Sequence, residues 1–150
     1  MSVALLDVNL LLALAWPNHS HHALAIDWFA AARPEGFATC PLTEAGFVRV
    51  SLNPAVVGEA KSSAAVLDLL ARLRSLPSHH FWPDDLDLPT ALVGLAPIVG
   101  HRQVSDAYLL ALAIRHGGRL ATFDRGIAAL APQDREEAVE TLSPSPGERG

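Results

Sequence analysis

Residues 5–15 read LLDVNLLLALA, an aliphatic run interrupted by an aspartate at position 7 and an asparagine at position 9. A stretch this apolar belongs inside a folded domain, yet an unpaired carboxylate is costly to bury. The run must therefore break at Asp7, placing the acid at the rim of the core where something compensates its charge. A buried strand over 3–7, followed by a helix from Asn9 that Pro17 and Asn18 close, meets that condition.

The rest of the chain repeats the alternation. Helices are predicted over 20–33 (Leu24, Trp28 and Phe29 at helical spacing), 41–52 (opened by Pro41 and Thr43), 61–76 (Val66, Leu69, Leu70 and Leu73 on one face) and 104–117, with a short one over 126–131. Strands are predicted over 37–40, 79–82, 119–124 and 138–142, while 90–100 fits either helix or loop. Strands separated by helices imply a three-layer α/β/α domain with a central, mostly parallel sheet over 1–142, and SPSPGERG (143–150) reads as a disordered tail. In such sheets the ligand crevice lies outside the carboxyl ends of the strands, which is where Asp7 falls.

Half of the residues are hydrophobic and 18% are charged, which suits a filled core and argues against intrinsic disorder. Lys and Arg number 11 against 16 Asp and Glu, so a nucleic-acid surface built on bulk positive charge is excluded. Any polyanion must be held by local arginines or by metal ions. The single Cys40 permits no internal disulfide, the start lacks a signal-peptide pattern, and no apolar run nears the ~20 residues of a membrane span. A soluble, cytoplasmic protein is expected.

Four acids sit in apolar neighbourhoods at element boundaries: Asp7, Glu44, Asp106 and Asp124. Each alone has an ordinary explanation, as a helix cap or as a complement to a helix dipole. Together they fall at strand ends or in the first helical turn beyond, so they project towards one end of the sheet. Carboxylates gathered in one crevice repel each other and cannot all ionise unless a cation neutralises them. Hard oxygen donors without a nearby cysteine favour Mg²⁺ or Mn²⁺ over Zn²⁺. Such an ion suits phosphodiester hydrolysis because it acidifies a bound water and steadies developing charge. Asn9, Thr43, Ser105 and Thr122 stand beside the acids as candidates to orient them.

The segments LLDVNLLLAL, PLTEAGFVRV, RQVSDAYLLALA and LATFDRGIAAL, in this order, resemble the four motifs of PIN-domain ribonucleases, with the nearest likeness to VapC-type toxins. The resemblance covers residues 3 to 142. It implies that Asp7, Glu44, Asp106 and Asp124 form the acidic metal-binding quartet, supported by Asn9, Thr43, Ser105 and Thr122. It further implies a metal-dependent endoribonuclease acting as the toxin of a type II toxin–antitoxin pair, a VapB-like antitoxin that inhibits it, and a homodimer. No acid of the quartet is missing.

Other features carry less. NHSHH (18–22) has no fourth ligand at regular spacing for zinc, and reads as a helix start capped by Asn18 or Ser20, with RNA or antitoxin contact as the alternative. Trp16, Trp28, Trp82, Phe29 and Phe81 read as core or dimer surface before a base-stacking platform. Of the arginines near the later acids, Arg102 and Arg125 are the candidates for RNA phosphate contact. A haloacid-dehalogenase-like phosphatase needs a second acid where Asn9 stands and a late lysine. A receiver domain needs that lysine too, and the only lysine is Lys61. A non-catalytic module that binds RNA or protein on the same scaffold remains the alternative of a different class.

Overall fold

The structure is a computed structural model and describes residues 2–143. The segment expected as a tail lies outside the described residues beyond Ser143. The aliphatic run divides as its pattern requires: Ala4–Leu6 form β1 and Val8–Ala15 form α1, with Asp7 between them. Leu10 to Leu14 are all buried, so α1 is enclosed on every side rather than amphipathic. There follow α2 (His22–Ala32), β2 (Phe37–Thr39), α3 (Pro41–Ser51), α4 (Pro54–Val57) and α5 (Ser63–Arg74). The second half comprises β3 (His79–Phe81), α6 (Leu88–Val93), α7 (Val104–Arg115), β4 (Arg119–Thr122) and β5 (Val139–Thr141). Two longer 3-10 segments, Arg125–Leu130 and Gln133–Ala138, join the last two strands.

The five strands are all parallel, in the order β3-β2-β1-β4-β5. Strand alternation sends Ala4, Leu6, Phe37 and Ala121 to one face, where Leu10, Leu11, Phe47, Val66 and Leu70 from α1, α3 and α5 cover them. Leu5, Ala38 and Leu120 face the other way, against Ala91 of α6 and Leu109, Leu110 and Leu112 of α7. The result is the expected three-layer α/β/α arrangement. The chain winds outwards from β1 through β2 to β3, then crosses to β4 and β5 on the other side. The winding therefore reverses between β1 and β4, and such a switch point is where parallel sheets form their crevice.

One local expectation needs correction and one open reading is resolved. Neither Asn18 nor Ser20 caps α2: its first position follows His21 with no side-chain cap, and the Asn18 amide instead donates to the Val57 carbonyl at 3.0 Å. The 90–100 stretch, open between helix and loop, is helical only to Val93, in a helix that Asp87 opens by accepting from the Thr90 amide. Gly46 lets α3 lie close on α1, since a Cβ there would stand 2.6 Å from the Val8 side chain.

Candidate active site

Asp7 is the N-cap of α1, accepting from the Val8 amide through Oδ1 at 2.8 Å. Its Oδ2 accepts from the Thr122 hydroxyl at 2.7 Å, across the β1–β4 junction. Thr122 is fully buried at the end of β4, and its Oγ1 also accepts from the Asp124 amide at 3.0 Å. Asp124 in turn caps the 3-10 segment that follows it, through Gly126 at 2.8 Å. The ordinary capping role and a site role thus coexist, because a carboxylate has about four acceptor positions and capping takes one.

Asp106 enters from α7, whose buried face, Ala107 to Ala113, packs beneath the sheet. Burial pushes the Asp106 carboxyl up to about 6, with the charges of Asp7 and Asp124 adding to it. Burial likewise raises Asp7, against hydrogen bonds from Thr122 and Val8, and the Asp124 charge pushes in the same direction as burial. The three aspartates therefore feel one another, and none has a Lys or Arg ion-pair partner among the described residues. Beside them opens a cavity of about 220 Å³ lined by Arg102, Gln103, Asp106, Asp124 and Gly126 over Ile127 and Leu130. Among the described residues no three His, Cys, Asp or Glu groups already converge at metal-holding spacing. The aspartates are neighbours, and side-chain rotation would have to bring them onto one ion.

Glu44 occupies a different setting. Its Oε2 accepts from the Thr39 hydroxyl at 2.7 Å and its Oε1 from Arg74 at 3.3 Å. The His79 Nε2 lies 2.7 Å from the same Thr39 oxygen, so with the hydroxyl directed at Glu44 the imidazole N–H donates. Burial and the Arg74 charge lower His79, while Glu44 pulls it the other way. Thr39 and His79 were invisible as site residues in the sequence, because they lie 40 positions apart and meet only through β2–β3 pairing.

The supporting polar residues divide. Thr122 links two of the acids. Thr43 is buried and forms the α3 capping box with Cys40 instead, accepting from its amide at 3.0 Å. Asn9 is held by His19, and Ser105 is exposed in the first turn of α7. Arg102 lines the acidic cavity and Arg125 is exposed at the start of its 3-10 segment. Arg115 and Arg119 pair with Asp85 and Glu140 at 3.3 and 2.7 Å. Of the aromatic set, Trp82 is buried, Trp16 and Trp28 are tied to Ser51 and Glu140, and Phe29 meets Phe37 edge-on. Phe81 is exposed beneath the Arg74 guanidinium.

Comparison with known proteins bears on this arrangement. The family model described as PIN domain matches residues 4–132. Ribonuclease VapC38 of Mycobacterium tuberculosis is 52% identical over 94% of this chain and 99% of its own length. Ribonuclease VapC39 of the same species is 49% identical over 93% and 99%. Among solved structures, VapBC2 from Rickettsia felis bound to a promoter DNA fragment superposes with a TM-score of 0.66 at 11% identity, covering 94% of this chain and 99% of that one. M. tuberculosis VapC20, a sarcin-ricin loop cleaving toxin, gives 0.59 at 18% identity, covering 86% and 99%. The fold, the order of the four acidic motifs and near end-to-end likeness to these relatives together place the chain in the PIN-domain family, among its VapC-type members.

Proposed function

We propose that this chain is a divalent-metal-dependent endoribonuclease, the toxin of a toxin–antitoxin pair. The observation that carries the reading is the trio at the β1–β4 junction: burial raises Asp7 and Asp106, the Asp124 charge adds to both, and none of the three has a Lys or Arg ion-pair partner among the described residues. Uncompensated carboxylates at a sheet's carboxyl edge suit a hard cation. Asp7, Asp106 and Asp124 would hold Mg²⁺ or Mn²⁺, with Glu44 joining through water or at a second ion. When bound, such an ion supplies Lewis-acid chemistry for phosphodiester hydrolysis. Thr122 holds Asp7 in place and, through the Asp124 amide, fixes the turn that presents the third carboxylate. Arg102 and Arg125 draw an RNA phosphate towards the acids against the net charge of −5. The curated relatives, named ribonucleases over nearly their whole length, support the substrate class. The VapBC2 neighbour supports a VapB-like antitoxin as partner, and we extend the reading to a homodimer working in the cytoplasm.

The test is cleavage of structured RNA by purified protein with Mn²⁺ or Mg²⁺, with EDTA, and with Asp7→Asn. Cutting that needs both the ion and Asp7 is expected. Cutting that survives EDTA refutes the metal, and binding without any cutting turns the chain into a non-catalytic RNA module.

A further inference from the structure

The histidine-rich segment that the metal site leaves unused folds back beside the acids. The His19 Nδ1 accepts from the His21 amide at 3.0 Å, which leaves Nε2 to carry the proton and donate to Asn9 Oδ1 at 3.0 Å. Both ring nitrogens are thereby assigned, and His19 is held as one neutral tautomer in one orientation. Its ring lies nearly parallel to Phe123, with centroids 6.3 Å apart and planes inclined by 21°. His21 lies 4.9 Å from Phe123 and 5.9 Å from His19. The three rings are half-buried and contact one another. Its position follows from the chain: Phe123 stands between Thr122 and Asp124, and Asn9 lies two residues after Asp7.

We propose that His19, His21 and Phe123 form a stacking subsite for an unpaired base of the RNA substrate next to the reacting phosphate, with Asn9 as the residue that positions His19. This rests on the endoribonuclease reading above. Single-stranded bases stack on aromatic and imidazole rings without needing a particular sequence, while their phosphates are held elsewhere. A zinc role is not supported, since His19 spends one ring nitrogen on Asn9 and the other on His21, and His22 Nδ1 lies 2.6 Å from the Ala13 carbonyl. An antitoxin side chain is the competing occupant; the base is favoured because Phe123 directly precedes Asp124 and Asn9, which holds His19, follows Asp7 by two residues.

The probe is a single-stranded hexaribonucleotide with 2-aminopurine at one position, titrated in EDTA so that no metal-dependent cutting intervenes. Stacking quenches 2-aminopurine, so the wild type is expected to quench it. Phe123→Leu, which keeps apolar volume and loses the ring, and His21→Ala should each weaken binding about tenfold. His21→Phe should restore the quench. In Mn²⁺ the same two variants should raise KM with kcat retained, and in EDTA Asn9→Ala should weaken the quench more mildly than either. Unchanged quench and unchanged KM in both Phe123→Leu and His21→Ala overturn the proposal, whether or not antitoxin binding has changed. The two readings fail separately. Quenching without Mn²⁺-dependent cutting removes the nuclease and keeps the platform, whereas cutting with unaltered KM in both variants keeps the nuclease and removes the platform.

Discussion

Two neighbouring strand ends of one sheet treat their acids in opposite ways. At the β1–β4 end, Asp106 feels the charges of Asp7 and Asp124, which accept from a threonine hydroxyl and backbone amides. At the β2–β3 end, Glu44 is met by the Thr39 hydroxyl and the Arg74 guanidinium. Among the described residues Glu44 has an ion-pair partner and the three aspartates have none, although Arg102 lines the cavity beside two of them. An acidic residue at the right edge is therefore a weak indicator of a metal centre by itself; the absence of an internal counter-charge is the stronger one.

The comparison breaks most visibly in activity. Asp7→Asn is expected to lower RNA cleavage by more than ~100-fold, beyond the loss typical of a residue that only supports a metal ligand. Glu44→Gln should cost clearly less, and equal losses would erase the distinction between the two strand ends. A second measurement is thermal melting with Mg²⁺ or Mn²⁺. An ion that binds only the folded chain adds ~2.7 kcal/mol at a hundredfold excess over its Kd. Asp106→Asn should abolish that rise in Tm, and Glu44→Gln should leave most of it.

Thr122→Val keeps the shape of a fully buried side chain while depriving Asp7 and the Asp124 amide of a partner. A destabilisation of about 1–3 kcal/mol is expected by denaturant titration, together with weakened metal binding. The pH response is smaller and has a definite sign. The Asp106 carboxyl sits at about 6 in the fold against an ordinary 3.8, so the folded chain binds this proton more tightly than the unfolded chain does. Without metal, its charge therefore weakens the fold above about pH 6, and the penalty fades as pH falls from about 6 towards 4. In EDTA, Asp106→Asn should melt above the wild type at neutral pH, with the gap closing as the solution is acidified; a gap independent of pH would contradict this. The smallest effect belongs to Arg74→Ala, whose partly exposed ion pair with Glu44 should contribute about 1 kcal/mol or less to stability.

Much of the fold was legible because its signals are local. The apolar triplet Ala4–Leu6, ended by an acid and followed by a helical pattern, reads as a buried strand, and the Val104–Arg115 pattern reads as a helix up to its glycine stop. The motifs put four acids at one edge; Asp7, Asp106 and Asp124 do lie near one another, whereas Glu44 stands with Thr39 and Arg74 at the β2–β3 end. What escaped the sequence reading depends on pairing between distant segments. Thr39 and His79 meet only because β2 and β3 align, and the Asn18 amide turns to Val57 instead of capping α2. Thr43 beside Glu44 resembled a ligand-orienting residue, but its hydroxyl closes the turn at Cys40. The four-residue α4 was too short for any periodicity to announce it.

The hydroxyl of Thr122 reaches back 115 residues to Asp7. During synthesis Asp7 is made 115 residues before its bridging partner, with Asp124 two positions later still. A nascent chain whose β4 has not yet left the ribosome has the first carboxylate without the junction that organises it. The order of translation thus delays assembly of the acidic trio until most of the domain exists.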